Sequence, residues 1–378
     1  MGVYLDNAAT TWPKPESVYL AVDHFLREVG ATPGRGGYQQ EEQAQQIADD
    51  ARAALAQLFH APDPLGVAFT LNATHAINMA LKGLLHPGDH VVTSSIEHNA
   101  MWRPLMALEK LGVEVTTVPC TPEGILNPAD VEAALRPDTR LVAMLHASNV
   151  LGIILPIAEV GEIAHHHKAL LLVDAAQTAG SCPIDMQAMG IDLLAFAGHK
   201  GTYGPQGTGG LIVRPGIHLE TWVEGGSGFP SRPETMPDEL PLRLEAGTQN
   251  TAGVAGLLAG VRFVLEQSVE KIHAHEMTLA RQLIDCLHVI PGLNILGPGN
   301  LEQRTAVVSV TVDNYIPDQL SAVLDKVFGV ATRAGLHCAP QAHNIAGTLE
   351  NGALRFSPGY YTTTEEIDYA VESLQSIL

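Results

Sequence analysis

The chain has 378 residues, 46% of them hydrophobic and 16% charged, enough to bury one large core or two smaller ones. Its formal net charge is −20 and no Lys/Arg run stands ready to neutralise a row of phosphates, so nucleic acid is not an expected partner. The opening "MGVYLDNAATTWPKP" has neither a basic stretch nor an apolar one, and no apolar run approaches the roughly 20 residues that cross a bilayer; the expectation is a cytoplasmic protein with no membrane partner.

Along the chain, short apolar runs alternate with longer segments of helical spacing. The runs are "GVAFTL" (66–71), "HVVTSS" (90–95), "VEVTTV" (113–118), "RLVAMLH" (140–146), "ALLLVDA" (169–175), "DLLAFAG" (192–198) and "GGLIVRP" (209–215). Between them lie amphipathic stretches such as "NATHAINMALKGLL" and "PIAEVGEIAHHHK". This alternation predicts an α/β fold, a mostly parallel seven-stranded sheet covered by helices. Residues 224–243, rich in Gly, Pro and acid, read as a long surface loop. After the apolar helix within "EAGTQNTAGVAGLLAGVRFVLEQ" the order becomes helix, strands, helix, strand, helix, as in a smaller α+β domain. The expected division is an N-terminal segment 1–14 packing with the small domain, a large domain over 15–245 and a small C-terminal domain over 246–378.

In open parallel sheets ligands gather beyond the carboxyl ends of the strands. The polar residues there are Asn72 to Thr74, Glu97 and His98, Ser148 and Asn149, Asp174 and Gln177, and Lys200 in "AGHK". A carboxylate, a histidine and a lysine around one crevice suit pyridoxal 5'-phosphate, whose aldehyde takes a lysine and whose ring nitrogen takes a carboxylate. Taken singly, Asp174 has a second reading as a cap of the following helix and Lys200 reads as a solvated loop lysine; the combination favours the cofactor. The four cysteines, Cys120, Cys182, Cys286 and Cys338, show no metal-ligand or disulfide-framework spacing, so no metal is expected. The first three lie in or beside apolar stretches and read as small buried hydrophobes. Cys338 instead sits in "RAGLHCAP", read as a loop, with Arg333 and His337 as candidate sources of the positive surroundings that favour a thiolate.

Seven motifs, "YLDNAATTWPKP", "HASNVLG", "VDAAQTAG", "FAGHKGTYGPQGTG", "EAGTQNTAG", "RAGLHCAP" and "ALRFSPGYYTTTEEID", together resemble the class V aminotransferase superfamily of fold-type I pyridoxal-phosphate enzymes, and within it the cysteine desulfurase and selenocysteine lyase branch. The resemblance implies that Lys200 carries the cofactor as a Schiff base, that Asp174 pairs with its ring nitrogen and that His98 stacks on its ring. It implies that Gln177 bonds the phenolic oxygen and that Asn149 lies beside the same edge, near the substrate. The phosphate would rest on the helix start at Ala73 and Thr74, with His199 adding a donor and Thr248 reaching across from a second subunit. That last role implies a homodimer with shared active sites. Arg355, with Arg333 nearby, would grip the substrate carboxylate.

Cys338 resembles the residue that takes sulfur from L-cysteine as a persulfide, releasing L-alanine, before handing it to an acceptor protein. Its spacing resembles the short-loop group of these enzymes. L-selenocysteine as substrate, or plain aminotransferase chemistry, are the alternatives within the superfamily. The chain departs from the usual motifs at Ala197, where many relatives carry serine, at "NATHA", and at Leu336, where a second histidine often stands.

Overall fold

Branched and leucine side chains in runs of four to seven become strands wherever both faces can be buried, and that pattern builds the centre of this protein. The computed structural model describes residues 2–34, 37–227 and 234–378. In chain order the first elements are β1 (Val3–Tyr4), α1 (Glu16–His24), α2 (Gln39–Leu58), β2 (Val67–Thr70), α3 (Ala73–Leu84) and β3 (His90–Ser94). Next come α4 (Asn99–Glu109), β4 (Glu114–Val118), α5 (Pro128–Ala134), β5 (Thr139–Leu145), α6 (Ile157–His166), β6 (Leu170–Asp174), β7 (Leu193–Ala197) and β8 (Gly209–Val213). The remainder is α7 (Thr251–Gln267), α8 (Val269–His288), β9 (Leu293–Ile295), β10 (Val308–Val312), α9 (Pro317–Phe328), β11 (Val330–Ala331), β12 (Arg333–Gly335), α10 (Pro340–Ile345), β13 (Ala353–Phe356) and α11 (Thr364–Gln375).

The seven expected strands form one sheet in the order β2, β8, β7, β6, β5, β3, β4. All run parallel except β8, which lies antiparallel between β2 and β7. Because side chains alternate along a strand, neighbouring residues serve opposite layers. Val92, Val142, Leu171 and Leu194 join the core shared with α2 and α7, whereas Val91, Leu141, Leu172 and Leu193 join that shared with α3 and α4.

The C-terminal unit is a four-stranded antiparallel sheet, β12, β13, β10, β9. Leu279 and Leu283 of α8, Leu320 and Leu324 of α9, and Ile367 and Leu374 of α11 cover it. The N-terminal segment joins this core through Val3 and Leu5, and β1 pairs in parallel with β11. Helix α7 divides differently from the expectation. Its Val254, Leu257, Leu258, Val261 and Val264 belong to the core of the large sheet, so packing puts it with the large unit although it lies beyond residue 245. A helix apolar on nearly all sides carries no mark of which core claims it. The chain bends by 81° between α7 and α8, and no single helix among the described residues is long and apolar enough to cross a membrane. The expected loop 224–243 lies partly outside the described residues, at 228–233.

At the β2 edge a buried ion pair stands in for a missing strand. Arg52 of α2 donates to Glu245 at 2.8 and 2.7 Å, and Glu245 Oε1 also accepts the Phe69 amide at 2.6 Å. The guanidinium packs 4.2 Å from the Phe69 ring centre and bonds Val67 O. Both side chains are under a tenth exposed, so removing one leaves the other charged, buried and unpaired. Glu245→Ala is expected to lower unfolding stability by about 3–5 kcal/mol in chemical denaturation; a loss under ~1 kcal/mol would mean that Arg52 reaches water without it.

Candidate active site

Strand ends supply most of the site. Asn72 caps α3, its Oδ1 accepting the His75 amide at 2.9 Å, so Ala73 and Thr74 lie in the first turn, where amide N–H groups have no partner within the helix. His98, after β3, caps α4 through Nδ1, which accepts the Ala100 amide at 3.0 Å. Asn149 follows β5, Asp174 ends β6 and Lys200 follows β7. The C-terminal unit contributes Arg333 on β12, Arg355 on β13 and the turn carrying Cys338. All of these residues, with Gln177 and His199, line one cavity of about 210 Å³ between the two units.

Thr248 is the exception. It is exposed and lines a separate cavity of about 560 Å³, which shares Asn72 and Thr74 with the first and includes Trp222, itself 40% exposed.

Burial governs the electrostatics. Enclosure lowers the Lys200 pKa from 10.5 to about 8; Asp174 opposes this, while Arg355 and Arg333 add to it. The same burial raises Asp174, against a hydrogen bond from the Ala176 amide at 2.9 Å and the charge of Lys200. His98 is lowered to about 4 by burial first and then by Lys200 and the arginines, so it is neutral at pH 7. Behind it, fully buried Glu97 is pushed up to about 8 by desolvation and accepts from Ser94 Oγ at 2.5 Å and the Leu145 amide at 3.1 Å. A protonated Glu97 thus ties the His98 turn to β5.

Arg355 is 1% exposed, donates to Asp6 at 2.7 Å and to Asn149 O at 3.1 Å, and keeps its Nε without a partner. Asn149 donates from Nδ2 to His337 O at 2.7 Å, while its Oδ1 is buried and unbonded. Two orphaned polar atoms on residues lining one cavity mark it as built for a ligand, because buried polar groups left unpaired are costly. Gln177 donates to Ala8 O at 3.1 Å, and His199 Nδ1 meets Thr10 Oγ1 at 3.0 Å.

Cys338 is exposed, while Cys120 and Cys182 are buried and raised to about 11 and 12, chiefly by desolvation. Cys286 is partly exposed, where sequence placed it among the buried ones. The segment "RAGLHCAP" begins as strand, Arg333 pairing across to Arg355, and turns at His337 and Cys338 with φ of 50° and 57°. Such residues cost on the order of 1–3 kcal/mol each and persist where surroundings hold them. His337 does not supply the positive charge expected of it: burial, then Arg355, lower its pKa to about 3. Asp6 and Lys14 were missed by sequence reasoning. Lys14 donates to Thr11 O at 2.9 Å and to His199 O at 3.0 Å, latching the N-terminal segment beside Lys200. An acid and a lysine within the small-residue stretch "LDNAATTWPK" were the available signal.

Residues 3–370 match the family described as Aminotransferase class-V. A probable cysteine desulfurase of Methanothermobacter thermautotrophicus is 36% identical over 382 residues, spanning 99% of this chain and 94% of that protein. A cysteine desulfurase of Klebsiella pneumoniae is 34% identical, spanning 99% and 93%. The apo structure of a cysteine desulfurase from Thermococcus onnurineus superposes with a TM-score of 0.94 at 31% identity, covering 100% of this chain and 94% of the other. The expected fold and family are thus both found, and the chain belongs to the class-V aminotransferase family, among its cysteine desulfurases.

Proposed function

We propose that this protein uses pyridoxal 5'-phosphate to convert L-cysteine to L-alanine, leaving the sulfur as a persulfide on Cys338. The observation that carries the reading is the meeting of Lys200, Asp174, His98 and an exposed Cys338 around one cavity. The residues fit the cofactor: an amine of lowered pKa for its aldehyde, a buried carboxylate for its ring nitrogen, a neutral imidazole for its face, and the α3 amides for its phosphate. When bound, the cofactor supplies an electron sink for the pair left when the substrate Cα–H bond breaks.

The chain's own groups do the rest. Arg355, which lines the cavity and is oriented by Asp6 and Asn149 O, holds the substrate carboxylate. Lys200 Nζ, neutral in part at pH 7–8, takes the α-proton and returns it to the product. Cys338 Sγ attacks the substrate Sγ: the S–S bond forms as the Cβ–S bond breaks, the electron pair stays with carbon, and protonation there yields alanine. No external oxidant is consumed. Exposure of Cys338 suits onward delivery to an acceptor protein.

Thr248, placed outside the cavity beside exposed Trp222 and Leu71, supports a homodimer in which each copy lends Thr248 to the other's phosphate site. Sedimentation of the active protein is expected at twice 40.2 kDa; a fully active monomer would refute this arrangement.

Cys338→Ala is expected to bind pyridoxal phosphate normally yet release little alanine from L-cysteine, and native protein briefly exposed to L-cysteine should carry added sulfur at Cys338 by mass spectrometry. Wild-type alanine release from Cys338→Ala sinks the assignment. Uptake of pyridoxal phosphate by cofactor-free protein, which needs the neutral Lys200 amine, is expected to accelerate as pH rises toward 8 and to level off above it. A rate independent of pH, or uptake in Lys200→Ala that resists dialysis equally well, contradicts the role given to Lys200.

A further inference from the structure

The turn that presents Cys338 is held from two sides. On one, main-chain carbonyls are gripped: Asn149 Nδ2 donates to His337 O at 2.7 Å and the Asn99 amide donates to Cys338 O at 2.8 Å. On the other, the His337 ring, 4% exposed, lies nearly parallel to the fully buried ring of His343, with 18° between planes and 5.5 Å between centres. Nothing in the proposed chemistry uses His343, yet its ring is engaged at both nitrogens.

The hydrogen bonds admit one arrangement of protons. His337 Nε2 lies 3.2 Å from Arg333 O, and a carbonyl only accepts, so Nε2 carries the hydrogen. In the neutral ring Nδ1 is then an acceptor, and its partner at 3.3 Å, His343 Nε2, must donate. That leaves His343 Nδ1 to accept from the Thr348 hydroxyl at 2.7 Å. Donors thus run in one direction, from Thr348 through His343 and His337 to Arg333 O. Neighbouring Gly352, at φ 72°, lies so close to Gly335 that a Cβ there would meet Gly335 O at 2.4 Å, which brings the Thr348–Gly352 segment against β12.

Resting on the reading of Cys338 as sulfur acceptor, we propose that His343 and Thr348 are positioning residues, which fix the His337 tautomer and thereby hold Cys338 in the left-handed turn that aims its sulfur at the substrate. Released from that lock, His337 and Cys338 relax toward negative φ, as side chains with a Cβ prefer, and the sulfur loses its line of attack. Substrate binding, which belongs to Arg355 and Lys200, is left alone.

The test uses His343→Phe, which keeps an aromatic ring in place but removes donor and acceptor. Per folded molecule, kcat for L-cysteine is expected to fall about tenfold or more, the usual consequence of a misplaced reacting group, with KM within about twofold of wild type. In cofactor-free protein, amide hydrogen exchange over residues 336–339 is expected to quicken by about tenfold. His343→Gln, which restores a donor and an acceptor, should recover kcat to within about threefold. Should His343→Phe not fold, Thr348→Val, the same shape without the hydroxyl, is measured in its place and is expected to move both readouts in the same direction. Unchanged kcat and exchange in a folded variant overturn the proposal, as does a loss confined to KM or one that Gln does not rescue. Cys338→Ala separates the two levels of argument: if it keeps wild-type turnover, the acceptor reading fails, while the exchange measurement, needing neither cofactor nor substrate, still decides whether the ring pair holds the turn.

Discussion

Lys200 stands where a charged amine is poorly solvated, and much of the architecture around it follows from tolerating that placement. Its carbon chain comes off the end of β7 into a turn pressed against neighbouring backbone. A Cβ on Gly201 would meet Ala179 O at 2.5 Å, and one on Gly198 would meet Thr208 Oγ1 at 2.2 Å. Glycine before and after His199–Lys200 therefore lets this turn pack against the backbone that follows β6 and against the residue that precedes β8. At the β6 end Asp174 supplies the opposing charge, its own carboxylate disfavoured by the same burial. Each member of the pair offsets part of the other's desolvation, and neither is comfortable alone. Burial thus brings the Lys200 amine down to about 8, close to the pH at which it would move a proton.

The first fourteen residues connect this buried centre to the second unit. Strand β1 is a strand of the C-terminal unit in all but sequence position, and Asp6 continues it with a bridge to Ser357. Ser357 also receives the Ala8 amide on its hydroxyl at 3.0 Å. Beyond that point the segment turns to the large unit. Thr11 donates its amide to His199 O at 3.2 Å, and Lys14 reaches the same carbonyl. One short segment therefore bonds Arg355 on one unit and the residue before Lys200 on the other. Relative movement of the units changes the spacing between the Arg355 guanidinium and the Lys200 amine unless this segment moves with both.

How much of this was legible depended on range. Strands β2 to β8 were visible because each is a run buried on both faces, a local property, and the strand-end residues followed from the general geometry of parallel sheets. The carboxyl-end residues Asp174, Asn149 and Lys200 could be picked out for that reason. The pairing of Arg355 with Asp6, 349 residues apart, has no local signature. The same holds for α7, whose apolar surface announces burial without naming the core. His337 failed for a different reason: beside a cysteine its charge looked useful, but charge depends on solvation, and burial is decided by α10 and by the segment after it, which sequence gives no reason to fold back over the ring.

The division of labour between the units then has a physical rationale. Proton transfer requires a group fixed against the substrate to within a fraction of an ångström, and a central strand with both faces buried is the most rigid support the fold provides. Sulfur transfer requires a group that can be reached from outside once it is loaded, and a central strand offers no such position. The structure meets both demands by anchoring the backbone of the cysteine turn and not its side chain. Asn149 and Asn99, both from the large unit, bind the carbonyls of His337 and Cys338, while the side chain of Cys338 stays exposed. Because those two bonds cross between units, the turn is registered to the sheet that carries Lys200 even though its covalent support lies in the other sheet. Cys338 and Lys200, the nucleophile and base of the proposed function, thus share one frame, and the side chain of Cys338 stays exposed.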